Sequence, residues 1–112
     1  MSIETKEDVD KIIAKRFPEY AAKAVDIAWE IIYPHTKTPK SADLYEYKTG
    51  AISIKLNAID DTENACEVFG IRRGKNGSLL VFQKDMEAPT NGYWRLLGKV
   101  ETSGKIKLCQ SS

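Results

Sequence analysis

The first third of the chain repeats its apolar residues at helical spacing. They recur at intervals of three and four residues: Val9, Ile12, Ile13 and Phe17. One stripe of this kind predicts an amphipathic helix over about residues 5 to 16. Thr5 and Asp8 have the spacing of a capping box at its start.

A second and more apolar helix is predicted from Pro18 to Tyr33. Pro18 suits the first helical position, where its missing N–H would have no partner anyway. Pro34 ends the helix because the residue before a proline is pushed away from helical dihedrals. The polar residues follow one narrow stripe: Glu19, Lys23, Asp26 and Glu30. Almost all the other residues are apolar, so we expect this helix to pack deeply across a sheet.

From Asp43 onward the apolar period changes to two. This period predicts five or six antiparallel strands between residues 43 and 109, after a loop at residues 34 to 42. Asn76-Gly77 is a strong hairpin signal, because both central residues of a type I′ turn need positive φ. The last strand has a lysine-rich outer face, which is typical of a sheet edge.

Two strands in the middle of the predicted sheet have unusual patterns. In residues 66 to 73, Ile71 is out of phase with Cys66 and Val68. A β-bulge at Gly70 would bring Ile71 back to their face, so we predict one there. The next strand, residues 78 to 84, is apolar on both faces, and we expect something to cover each of them.

These elements predict one α+β domain spanning residues 1–112. Two N-terminal helices, at about residues 5–33, are followed by a curved antiparallel sheet at about residues 43–109. We expect the second helix to lie in the concavity of the sheet.

The order of elements resembles the NTF2-like, or cystatin-like, cone-shaped architecture. The stretch Ala24-Val25-Asp26-Ile27-Ala28-Trp29-Glu30-Ile31-Ile32-Tyr33-Pro34 is similar to the helix-to-proline segment of some bacterial NTF2-fold immunity proteins. The resemblance covers about a tenth of the chain. It implies a cone with a possible pocket, often in a dimer formed through the sheet, and it implies no catalytic residues.

Composition and charge narrow the classes of function. The 112 residues have an average apolar content and a net charge of +1, from 17 basic and 16 acidic side chains. These values exclude a disordered chain and a strongly basic nucleic-acid binder. The charge is unevenly placed: residues 43–70 sum to −4, residues 71–84 to +4, and residues 88–112 to +3. The later strands are therefore expected to carry a basic face.

The chain has few residues suited to metal or redox chemistry. Cys66 and Cys109 are interpreted as small buried apolar residues, with a disulfide between strands left open. With His35 they make three possible zinc ligands, fewer than a structural site needs. The acidic cluster of the 60–63 turn lacks EF-hand spacing and is interpreted as solvated: Asp60, Asp61 and Glu63. We expect no metal and no cofactor.

The N-terminus indicates where the protein works. It is polar and acidic, unlike a signal peptide, and no apolar run approaches the length that spans a bilayer. A cytoplasmic location and no association with membranes are expected.

Two functional hypotheses follow. The first is a non-enzymatic interaction domain, of the immunity type or a mobile-element accessory, which binds a protein partner or itself through the sheet and does not bind nucleic acid. Its expected interface is basic and aromatic: Arg72, Arg73, Tyr93, Arg95 and Lys99. The alternative is a pocket for a small apolar ligand, with enzymatic activity conceivable. Its expected lining is mostly aromatic: Trp29, Tyr33, His35, Tyr45, Phe82 and Trp94.

Overall fold

A computed structural model describes the protein over four stretches: residues 2–36, 39–57, 66–85 and 93–109. Side chains are described from Lys6 onward. Within these stretches the chain forms two helical segments followed by one antiparallel sheet of six strands. The predicted α+β class is confirmed.

The six strands form a simple meander, in which each strand pairs antiparallel with the next along the chain. Their bounds are β1 Ser41–Glu46, β2 Ile52–Asn57, β3 Cys66–Arg73, β4 Leu79–Lys84, β5 Trp94–Val100 and β6 Ile106–Leu108. β1 and β6 therefore form the two edges of the sheet.

Helix α1 spans Ser2–Arg16. The predicted start at residue 5 is wrong, because Thr5 lies inside the helix rather than at its cap. The side chain of Thr5 lies outside the described part. The apolar stripe behaves as its spacing predicts, since Val9, Ile13 and Phe17 are fully buried.

The second helical segment, residues 18–35, is not one regular helix. It is a series of short helical pieces: a 3₁₀-helix at Pro18–Lys23, an α-helical turn, α2, at Ala24–Asp26, a π-helix at Ile27–Ile32 and a 3₁₀-helix at Tyr33–His35. In a π-helix the hydrogen bonds join residues five apart, as the Tyr33 N–H joins the Ala28 carbonyl. Ile27 and Ile32, which are five residues apart, are both fully buried.

The apolar face of this segment is narrower than the sequence suggests. Val25 and Trp29 are about half exposed, while Ile31 and Ala28 are buried. Deep packing is therefore confined to one side of the segment.

The strand register gives the sheet two distinct faces. The inner face carries the apolar side chains of the core: Ile52, Ile54, Leu56, Phe69, Ile71, Leu79, Val81 and Val100. They form one core cluster with the buried residues of both helical segments. The outer face carries the alternating residues, among them Tyr45, Ser53, Val68, Gly70, Arg72, Leu80, Phe82, Trp94, Leu96 and Lys99.

The bulge predicted at Gly70 is wrong. β3 keeps continuous register with both neighbours, because its inner-face residues are Phe69 and Ile71 rather than Cys66 and Val68. The irregularity lies between β4 and β5, where the pairing steps from Phe82–Leu96 to Val81–Gly98 and leaves Leu97 as an extra residue. Because of the bulge, the consecutive residues Leu97 and Gly98 are both buried, while Leu96 and Lys99 stay on the outer face.

The hairpin predicted at Asn76-Gly77 is present, but its turn is longer than two residues. The Gly74 N–H donates to the Ser78 carbonyl at 2.7 Å, so three residues lie between the closing pair. Gly77 has a φ of +85°, as expected at the last position of a three-residue loop. The Asn76 side chain accepts hydrogen bonds from both the N–H and the hydroxyl of Ser78.

Polar contacts join the second helical segment to the β3–β4 end of the sheet. Arg73 donates two hydrogen bonds of 2.8 Å to Glu19, and its guanidinium lies 4.9 Å from the centre of the Phe17 ring. The hydroxyl of Tyr20 donates to the carbonyl of Gly77. These contacts fix the helical layer on the inner face of the sheet.

Candidate functional site

The outer face holds a cleft of about 330 Å³, which we call the outer cleft. Its lining residues come from β2 to β5 and from the β1–β2 turn. Its lining is mainly apolar: Tyr47, Ala51, Ile52, Gly70, Ile71, Arg72, Phe82 and Trp94. A site of this size and composition suits a small ligand or a single large side chain.

The ring of Trp94 packs against Gly70 in the outer cleft. A Cβ atom at this position would lie 3.0 Å from Cζ3 of Trp94. The absence of a side chain therefore lets the ring of Trp94, which belongs to β5, reach across the face to β3. The glycine is needed for close approach of the ring and not for an unusual φ.

Among the described residues, Arg72 is the one charged side chain that lines the outer cleft. Its guanidinium lies 5.2 Å from the centre of the Phe82 ring, in the range of a cation–π contact. No salt bridge to Arg72 occurs among the described residues. Arg72 is exposed and lies beside an aromatic surface.

The aromatic surface continues beyond the cleft. Tyr45 and Tyr47 stack edge to face with ring centres 4.8 Å apart, and they are 62% and 43% exposed. On the other side of the cleft, Leu96 of β5 is also exposed. Large apolar side chains thus extend from β1 to β5 on a face that the described helices do not contact.

The outer face is also basic. In the described strands its ionisable side chains are five bases and one acid: Lys55, Arg72, Lys84, Lys99, Lys107 and Asp43. Lys107 forms an ion pair of 3.5 Å with Glu101. The basic character expected for the later strands is therefore concentrated on the same side of the sheet as the aromatic surface.

The residues predicted as the interface do not lie on one surface. Arg72 and Lys99 lie on the outer face, as that hypothesis needs. Arg73 and Arg95 lie on the inner face, where Arg73 is bound to Glu19 and Arg95 to Gln83. Tyr93 is exposed just before β5.

The residues predicted as one pocket are likewise divided. Phe82 and Trp94 line the outer cleft, and Tyr45 lies beside it through its contact with Tyr47. Trp29, Tyr33 and His35 belong to the helical layer. Sequence reasoning missed Gly70 as a cleft residue. The signal was available, since Gly70 lies on the outer face once the strands are set in register.

On the helical layer, Trp29 belongs to a separate aromatic group. Its ring lies 5.8 Å from that of Tyr33, and the ammonium of Lys6 lies 3.7 Å from its centre. Burial, reinforced by the nearby carboxylates of Asp10 and Asp8, raises the pKa of Tyr33 to about 12. The group joins α1 to the second helical segment.

A polar network lies around Gln83 on the inner face of the sheet. The Gln83 amide donates to Glu67 at 3.0 Å and accepts from Arg95 at 2.5 Å. It also lies 3.5 Å from the carbonyl of His35. Burial, with Arg95 nearby, lowers the pKa of His35. Glu67 and Arg95 are both bound to Gln83, which gives the network a structural part in joining three strands.

The remaining candidates for chemistry are placed as follows. Cys66 is half-buried and Cys109 is exposed, both as free thiols, so the prediction that both are buried is wrong for Cys109. The acidic cluster of the 60–63 turn lies outside the described residues. Within the described part, no three potential metal ligands come together.

None of the described helices is both long enough and apolar enough to cross a membrane.

Comparison with known proteins found no matching family model, no matching curated protein and no matching solved structure.

Proposed function

We propose that this chain is a non-enzymatic protein-interaction domain that binds an acidic partner protein through its outer sheet face. The observation that carries the proposal is the coincidence of two properties on that face. An aromatic surface from Tyr45 to Trp94 lies among basic side chains, while the helical segments pack on the other side of the sheet.

The two properties would contribute differently to binding. The few residues that dominate the binding energy of protein interfaces are enriched in Trp, Tyr and Arg. Lysines at the margin steer an acidic partner and speed association. Arg72, in contact with the ring of Phe82, combines both roles.

The charge of the outer face favours a different protein over a second copy of the chain. Two such faces would place bases against bases, and like charges brought together at an interface cost several kcal/mol. An acidic partner removes that penalty. A homodimer formed face to face is therefore the less favoured arrangement.

The wider assignments stay predictions. The NTF2-like cone is an expectation from the order of elements, and the curvature of the sheet is one from the strand pattern. An immunity-type or mobile-element role accords with the resemblance of residues 24–34 and is likewise an expectation. A binding domain whose face is complementary to an acidic protein is compatible with that role.

Charge reversal tests the proposal. The variant Arg72→Glu/Lys99→Glu changes two outer-face cations, and Lys11→Glu/Lys15→Glu makes the same change of charge on exposed positions of α1. Each tagged protein is used to capture partners from an extract of the source cells. We expect the outer-face variant to lose its partner by about tenfold or more.

The α1 variant is the matched control and should retain the partner. Equal recovery by the outer-face variant and the wild type would contradict the proposal. Circular dichroism of both variants establishes that each is folded, so that loss of binding is not loss of structure.

A further inference from the structure

We infer that the outer cleft is the anchor site for an aromatic residue of the acidic partner, with a neighbouring carboxylate bound by Arg72. This inference rests on the proposed function and names the chemistry of the residue that enters the site. The partner would present an aromatic ring and a carboxylate within one residue or between adjacent residues.

The walls of the outer cleft are suited to a flat ring. Trp94, Phe82 and Tyr47 provide aromatic surfaces, and Gly70 keeps the space beside Trp94 free of a side chain. Aromatic pairs stabilise a contact beyond the effect of the area they bury. At about 330 Å³ the cleft is at the small end of ligand sites, which favours one side chain over a larger molecule.

The positive charge of Arg72 at the cleft determines which charged group of the partner can lie beside the aromatic ring. Arg72 lines the cleft, lies over Phe82 and has no salt bridge within the described part of the chain. A guanidinium presents paired N–H donors that match a carboxylate, and among the described residues no carboxylate lines the cleft. An aromatic residue beside a carboxylate therefore complements the site, whereas one beside an ammonium would be repelled.

Two small probes isolate these features. N-acetyltryptophan carries an indole ring and a carboxylate, and N-acetyltryptophanamide carries the same ring with no charge. Each is titrated into the ¹⁵N-labelled protein, and the indole N–H resonance of Trp94 reports occupancy. We expect both to shift this resonance at millimolar concentration, with the carboxylate form binding about threefold more tightly.

Variants of Arg72 test whether this residue causes the tighter binding of the probe that carries a carboxylate. Arg72→Gln should remove the difference between the two probes, and Arg72→Lys should retain part of it. Lys99→Gln is the matched control on the same face and should leave the difference intact. The inference is overturned if neither probe shifts the Trp94 resonance, or if the preference persists in Arg72→Gln.

Competition separates the anchor site from the wider face. N-acetyltryptophan should displace the captured partner at concentrations that fill the cleft, and N-acetylalanine, which lacks the ring, should not. If the charge-reversed variant loses the partner but N-acetyltryptophan does not compete, the anchor site is wrong while the outer face stands. If charge reversal leaves capture unchanged, the proposed function itself fails.

Discussion

The ring of Trp94 packs where a side chain at Gly70 would otherwise be. An added Cβ would lie 3.0 Å from Cζ3 of the ring, which is closer than two carbon atoms normally approach. Trp94 is on β5 and Gly70 on β3, so the ring reaches past β4 and links three strands on the outer face. This contact gives the outer cleft its shape and is the basis of the first prediction.

Replacing Gly70 with alanine should displace the Trp94 ring without unfolding the protein. The ring is only half-buried and can move outward, and alanine is better suited than glycine to a strand. We expect the free energy of unfolding to change by less than about 1 kcal/mol. In a Trp29→Phe background, Trp94 fluorescence should shift to longer wavelength. An unchanged emission spectrum would contradict the contact.

Gly98 provides the contrasting case. A Cβ there would lie 2.9 Å from the backbone carbonyl of Lys107 and 3.4 Å from Cδ1 of Ile31. A paired strand cannot move as a surface ring can, so Gly98→Ala should destabilise the protein by about 1–3 kcal/mol. Chemical denaturation measures the difference. A Gly98→Ala variant no less stable than Gly70→Ala would contradict the packing of β5 against β6 and the second helical segment.

Asp10 should destabilise the folded protein at neutral pH. Burial raises its pKa, against the opposing effect of Lys6, and its Oδ1 atom is buried without a hydrogen-bond partner among the described residues. A raised folded pKa means that stability falls as pH rises from 3.8 through the folded value. Asp10→Asn should therefore increase the free energy of unfolding at pH 7 and have little effect near pH 3. Equal effects at both pH values would contradict this.

Glu19 should show the opposite pH dependence. Its hydrogen bonds from Arg73 lower its pKa below the usual 4.5, so it stabilises the fold above that pH. The contribution is lost as pH falls through the folded pKa. Glu19→Gln should lower the unfolding free energy at pH 7 and match the wild type at low pH. Denaturation curves at the two pH values measure this, and a variant as stable as the wild type at pH 7 would contradict it.

The class of the fold and most elements were predictable because each depends on local pattern. The period of two and the turn signals predicted five or six strands, of which six are present in the described part, and the stripe of Val9 and Ile13 identified the buried side of α1. The irregularities were not predictable in the same way. They are the bulge at Leu97 and the π-helix at Ile27–Ile32. Both depend on how the element packs against the core, and tertiary packing cannot be read from the local pattern of residues.

The candidate site was partly predictable. The sequence identified Arg72, Phe82 and Trp94 as candidates, yet it could not show that they meet at one cleft. It also grouped Arg73 and Arg95 with Arg72 by position in the chain. The faces of these side chains depend on strand register and on the bulge, and neighbours in sequence therefore lie on opposite sides of the sheet.

Site-specific photocrosslinking tests the central claim most directly. Tyr45 on the outer face and Val25 on the helical layer are both exposed, so each can be replaced by p-benzoylphenylalanine. Illumination during capture should join the Tyr45-substituted protein to an acidic partner and leave the Val25-substituted protein unlinked. A partner crosslinked from position 25 and not from position 45, or a product containing two copies of this chain, would contradict the outer-face account.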